Sequence, residues 1–154
     1  MMERKDWVCT IGMTMGDAAG IGSELIVKAA EKGIFSGNFR TVIIGDERQL
    51  LRGMRDFNAN FDYRKVATVE GAMVYEGIVL VDTKALDAYA YPYGIEDPVL
   101  GLDAGNNIKA CVDACNNGFF DAICFAPSNK AALKRAGFKI RGQIDLLATF
   151  FKYT

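Results

Sequence analysis

Residues 8–33 read VCTIGMTMGDAAGIGSELIVKAAEKG. Val8 to Met13 is a short apolar run of the kind that forms a buried strand, and the stretch after it carries Gly16, Gly20 and Gly22, which let the backbone turn tightly. Leu25, Ile26, Ala29 and Ala30 then recur at helical spacing and stop at Gly33. The stretch therefore reads as strand, loop, helix. Ser23 is placed to cap the helix, which would leave free N–H groups at the carboxyl edge of the strand, where anions and cofactors sit in α/β sheets. The spacing matches neither G-x-G-x-x-G nor the Walker lysine motif, so a tight connection and a phosphate or substrate loop both fit it.

The same alternation continues downstream. TVIIG (41–45) is a second buried-type strand, and Leu50, Leu51 and Met54 mark a helix after Gly45-Asp46. FDYRKV (61–66) and GIVLVD (77–82) add strand character. Segment 83–104, with Tyr89, Tyr91, Pro92, Tyr93 and Pro98, reads as a long ordered loop whose tyrosines form either a contact surface or a cover over the core. Ile108, Cys111, Val112 and Cys115 form a helical stripe ended by Gly118. DAICFA (121–126) is a further buried-type strand, followed by a turn at Pro127-Ser128, a short helix over 129–136 and another from Ile144 to Phe151. Apolar strands alternating with helices predict a three-layer α/β/α arrangement with a largely parallel sheet covered on both faces.

Composition narrows the chemistry. At 154 residues and 51% hydrophobic content the chain can bury the core of one α/β unit without disulfide support. The 18 basic and 19 acidic residues give no positive field for a phosphate backbone, so no nucleic-acid partner is expected. No apolar run approaches the ~20 residues that span a bilayer, and MMERKDWVCT has no export-type apolar stretch, so no membrane association and a cytoplasmic location are expected. Cys9, Cys111, Cys115 and Cys124 lack a C-x-x-C pair and read as buried thiols. The chain has no histidine, which removes the commonest base near neutral pH and the commonest transition-metal ligand.

Two more segments carry candidate chemistry. Ala126-Pro-Ser-Asn-Lys130 follows a strand and offers an amide and an ammonium that can fix a phosphate or carboxylate; a plain helix start, with Ser128 or Asn129 as cap and Lys130 solvated, explains it equally well. In Gly142-Gln-Ile-Asp145, Gln143 and Asp145 open the last helix, and Asp145 suits its first turn.

Taken in order, TMGDAAGIGSE (14–24), VIIGD (42–46), APSNKAAL (126–133) and GQID (142–145) resemble the 4-hydroxythreonine-4-phosphate dehydrogenase family of pyridoxal phosphate biosynthesis, whose corresponding segments are T-x-G-D-P-A-G-I-G-P-E, the second strand and turn, A-P-x-N-K and G-H-T-E. The resemblance implies a homodimeric, metal-dependent dehydrogenase. Its subunits have two α/β domains, a fold like that of isocitrate and isopropylmalate dehydrogenases, and a site in the interdomain cleft. Oxidation there passes hydride to NAD and, for 4-phosphohydroxy-L-threonine, is followed by decarboxylation. By motif position, Asn129, Lys130 and Asp17 lie at the phosphorylated substrate. Gln143 stands where the family has a metal-binding histidine, and an amide oxygen is a poorer transition-metal ligand than imidazole. Family members are longer, so residues 1–154 are expected to form a truncated N-terminal half with a domain switch near residue 127. The remaining metal ligands and most of the cofactor site would lie beyond it. Residues 144–154, IDLLATFFKYT, are expected to lack a packing partner. The alternatives are a complete small domain, a non-catalytic module that keeps phosphate binding without redox chemistry, and a structural partner that pairs through 83–104.

Overall fold

A computed structural model describes residues 9–151. Five parallel strands, β1 (Cys9–Thr14), β2 (Phe39–Gly45), β3 (Arg64–Val66), β4 (Ile78–Asp82) and β5 (Ala122–Phe125), lie in the order β3-β4-β2-β1-β5. The helices are α1 (Gly22–Glu31), α2 (Glu47–Asp56), α3 (Val69–Ala72), α4 (Pro98–Asn116), α5 (Lys130–Arg135) and α6 (Gln143–Phe150).

Alternation along the central strands places one apolar side chain on each face, so each face needs its own cover. Ile43 and Leu80 meet Ile26 and Val27 of α1 and Leu50 and Met54 of α2, whereas Val42, Ile44, Val79 and Val81 meet Ala72 of α3 and Cys111 and Ala114 of α4. A third cluster joins α4 to α5 and α6 through Ile108, Leu133, Ile140 and Leu146. The three-layer parallel architecture expected from the strand patterns is the one observed.

Several local expectations are corrected. On α1 the buried stripe runs through Ile26 and Val27, and Leu25 is exposed. On α2 Leu51 is likewise exposed while Leu50 and Met54 are buried. Ser23 does not cap α1: it lies inside the helix, buried, its Cβ and Oγ close to where a Cβ on Gly53 of α2 would stand, and Ile21 takes the cap position with no side-chain bond. Only Arg64–Val66 of segment 61–66 is strand; Phe61 and Tyr63 pack on the core from irregular backbone with centroids 5.7 Å apart.

Segment 83–104 is not one loop. It contains a 3₁₀ turn at Ala88–Ala90 and, from Pro98, the first two turns of α4, where Asp97 caps the helix by accepting from the Val99 N–H. Proline at a helix start is a local signal, since its missing N–H would have no partner there. The buried Arg52 guanidinium holds this segment by donating to the Ala88 and Tyr91 carbonyls while Tyr93 lies over it at 3.6 Å. Tyr91 covers the core, whereas Tyr89 and Tyr93 stay exposed.

The β5 strand is less buried than its apolar sequence implies, because it lies at the end of the described sheet with β1 alone beside it. Cys124 is exposed for that reason, Cys111 is buried, and Cys9 and Cys115 are half-buried. The α6 helix does have packing partners: Leu146 is buried, and Phe150 meets Phe138 edge-on at 6.1 Å.

Candidate functional site

The carboxyl ends of β1, β2 and β5 are level, with Thr14 opposite both Ile44 and Phe125. The glycine-rich loop, Gly45-Asp46 and Ala126-Pro-Ser-Asn-Lys130 therefore emerge along one edge of the sheet. From β1 the chain leaves to the α1 face and from β5 to the α4 face, so the two loops diverge at adjacent strands, the place where ligands settle in open α/β sheets.

These two loops touch through their backbones. The Asp17 N–H donates to the Pro127 carbonyl at 3.1 Å. Gly16 has φ +69, and a Cβ there would run into the Pro127 carbonyl oxygen; a Cβ on Gly22 would strike that of Met15. Three N–H groups of the loop are used internally: Asp17 on Pro127, Gly20 on the Asp17 carbonyl, and Ala19 on Asp17 Oδ1 at 2.8 Å. These bonds and close approaches make residues 16–20 a tight connection, and α1 begins after it without a side-chain cap. Asp17 is buried, and burial pushes its carboxyl above the usual range, against the Ala19 N–H that lowers it. It anchors the loop.

Asn129 caps α5, its Oδ1 accepting from the Ala131 and Ala132 N–H groups at 3.0 and 3.1 Å. The cap occupies the oxygen and leaves the amide nitrogen as the group that can face a ligand. Asn129→Ala is expected to lower stability by about 1 kcal/mol, read from urea melts. Lys130 is exposed on the wall of a cleft of about 410 Å³ lined by Phe125, Pro127, Ser128, Lys130, Leu133 and Ile140. Lys130, Lys134 and Lys139 form no ion pair among the described residues, whereas Arg135 pairs with Glu96 and Arg141 with Asp145. Ser128 adds what the sequence did not single out as a ligand group: a buried hydroxyl with no hydrogen-bond partner.

Gln143 opens α6, and its side chain lies outside what is described. Asp145 behaves as a helix-start residue, accepting from the Arg141 N–H at 2.9 Å. No group of three or more Cys, Asp or Glu side chains that could hold a metal occurs among the described residues. No helix among them is long and apolar enough to cross a membrane.

A second polar cluster sits at the end of β2. Asp46 caps α2, is bound by the Arg48 guanidinium at 2.8 Å and accepts from the Leu86 N–H at 2.9 Å. Burial pushes its carboxyl up, and these hydrogen bonds together outweigh that and hold it below the usual range. Asp103 on α4 is buried with Asn107 donating to it at 3.0 Å; burial and then the Asp46 charge push its carboxyl up to about 6. Asp103 carries no local signal, since it sits inside a segment that reads as loop.

The family model for "Pyridoxal phosphate biosynthetic protein PdxA" matches residues 38–154. The chain belongs to the PdxA family. It is 34% identical over 143 residues to the D-threonate 4-phosphate dehydrogenase of Cupriavidus necator, covering 93% of this chain and 43% of that protein. It is 33% identical over 139 residues to the 4-hydroxythreonine-4-phosphate dehydrogenase of Desulforapulum autotrophicum, covering 90% and 41%. The crystal structure of a 4-hydroxythreonine-4-phosphate dehydrogenase from Burkholderia phymatum superposes with a TM-score of 0.84 at 32% identity, covering 94% of this chain and 44% of that one. This PdxA-family chain thus spans less than half the length of the relatives it matches, and its relatives are dehydrogenases of phosphorylated hydroxy acids.

Proposed function

We propose that this PdxA-family chain serves the NAD-dependent oxidation of 4-phosphohydroxy-L-threonine or a related four-carbon phosphorylated hydroxy acid, with decarboxylation following for the first substrate. The observation that carries the reading is the position of Ala126–Lys130: a family segment at the diverging loops of the sheet edge, with an exposed ammonium on a cleft. Lys130 attracts the anionic end of the substrate, helped by the field of Lys134 and Lys139, and the Asn129 amide nitrogen orients it. Asp17 acts indirectly, by fixing the loop against which the segment rests.

The described residues do not fit a divalent metal, since no group of potential ligands converges and Gln143 offers at most an amide. In the glycine-rich loop the N–H groups at 17, 19 and 20 are occupied and do not face a dinucleotide pyrophosphate. No step is therefore routed through either group. We assign both sites to the part of the relatives' length that this chain does not span, within a two-domain subunit of the isopropylmalate dehydrogenase kind that switches domain near residue 127, dimerises and works in the cytoplasm.

The test is NADH absorbance with full-length protein carrying this stretch and a panel of four-carbon phosphorylated hydroxy acids. Absence of turnover with all of them overturns the reading. Lys130→Met is expected to raise KM by about 10-fold with little change in kcat, as loss of binding common to ground and transition states does. Gln143, standing where the resemblance puts a metal-binding histidine, favours a second reading, a module that binds such acids without oxidising them. Calorimetric binding without turnover would select it.

A further inference from the structure

We propose that Arg52 is a positioning residue: it latches segment 83–97 onto α2 and, through that segment, holds the glycine-rich loop and the Lys130 segment in the arrangement that meets a phosphorylated ligand. The inference rests on the reading of this sheet edge as a site for phosphorylated acids.

Between β4 and Pro98 the chain forms one 3₁₀ turn, at Ala88–Ala90, so side chains rather than a sheet ladder must hold much of this backbone. Arg52, buried inside α2, takes two of its carbonyls, those of Ala88 and, at 2.8 Å, Tyr91. A planar guanidinium with its donors in a fixed fork can span both carbonyls and still lie under the Tyr93 ring at 3.6 Å, which a lysine ammonium cannot. The Tyr93 hydroxyl closes the latch by donating to Asp56, one turn further along α2, at 2.7 Å. The latched segment reaches the site by two routes. The Gly94 N–H donates to the Ala19 carbonyl at 2.8 Å, and Leu86 and Ala88 pack with Ala18 and Ala19, so the glycine-rich loop rests on the segment from one side. From its other side the same loop bonds to Pro127 through the Asp17 N–H. The segment also runs directly into α4, where a Cβ on Gly101 would strike the Ala132 carbonyl oxygen of α5. Both routes end on the stretch that carries Lys130.

Amide hydrogen exchange, paired with calorimetric titration by threonate 4-phosphate and by inorganic phosphate, tests this in Arg52→Lys, Tyr93→Leu and Arg40→Lys. In Arg52→Lys, which keeps the charge and loses the fork, the Gly94 and Asp17 amides are expected to exchange about 10-fold faster, while those of Ile43 and Leu80 in the central strands keep their rates. Binding of the probes should weaken about 10-fold, as the loss of one hydrogen bond from a charged group does. Tyr93 is exposed, so Tyr93→Leu spares the core; it should loosen the same two amides to a smaller degree, and it carries the test if Arg52→Lys does not fold. Arg40 donates to the Tyr75 carbonyl and to Thr10 near the opposite end of β2, so Arg40→Lys should lower stability without moving either amide or the affinity. An unchanged Gly94 amide in both latch variants overturns the inference. So does an Asp17 amide that keeps its rate while Gly94 loosens, or full affinity in Arg52→Lys. If neither probe binds the unaltered protein, the phosphorylated-acid reading fails and the exchange rates decide the latch by themselves.

Discussion

Replacing Gly16 with alanine is expected to destabilise the protein by about 4 kcal/mol, a large share of the ~5–15 kcal/mol that holds a domain together. Two costs add. The residue sits at φ +69, where a side chain brings strain on the order of 1–3 kcal/mol. The new Cβ would also meet the Pro127 carbonyl oxygen, which is backbone and cannot rotate away. Forcing it aside costs on the order of 1–3 kcal/mol more and would break the Asp17 N–H bond to Pro127 at 3.1 Å. Because that bond joins the loop after β1 to the segment carrying Ser128, Asn129 and Lys130, the variant should lose phosphate affinity before it loses fold. Urea melts with phosphate titration below the transition check both parts. A drop of under 1 kcal/mol would show that the two loops move independently.

The second large effect is a pH dependence set by Asp103. Burial and the neighbouring Asp46 charge raise its carboxyl from 3.8 to about 6. A carboxyl raised in the fold contributes stability that is fully present below about pH 4 and is lost as pH rises through about 6, since the folded state holds the proton that the unfolded chain releases. The shift corresponds to about 3 kcal/mol. Asp103→Asn removes the ionisation and keeps an oxygen for the Asn107 amide. Relative to the unaltered protein, the variant should therefore gain about 3 kcal/mol between pH 4 and pH 7, read as the difference between paired urea melts. Taking the difference cancels carboxylates that Asp103 does not touch, Asp56 among them, whose lowered value acts in the opposite direction. A difference that stays flat across the window would mean that Asp103 is solvated or paired.

Much of the sheet was legible because its central strands are buried on both faces. TVIIG and GIVLVD carry continuous apolar runs that only a covered parallel strand requires, and both appear as β2 and β4. The start of α4 was hidden by composition: Tyr, Pro and Gly over 89–98 suggest a loop up to Pro98, yet Asp97 and Pro98 together are a helix-start pair. The α1 start was misleading in the opposite sense. Ser23 suits a cap, but it lies inside the helix, packed where Gly53 of α2 comes close.

The sequence by itself determined the alternation of strands and helices, the family, and the two segments that carry Asp17 and the Asn129-Lys130 pair, because each depends on short-range patterning or local turn chemistry. Only the tertiary structure decided what those segments do together. Whether the glycine-rich loop cradles an anion or packs against its neighbour depends on where its N–H groups point, and three of them are taken within the protein. Whether a serine hydroxyl is a cap or an unpaired group, and whether an aspartate on α4 is solvated or buried, are likewise settled by residues distant in the chain. Burial and hydrogen-bond accounting are properties of the packed assembly, and no local pattern encodes them.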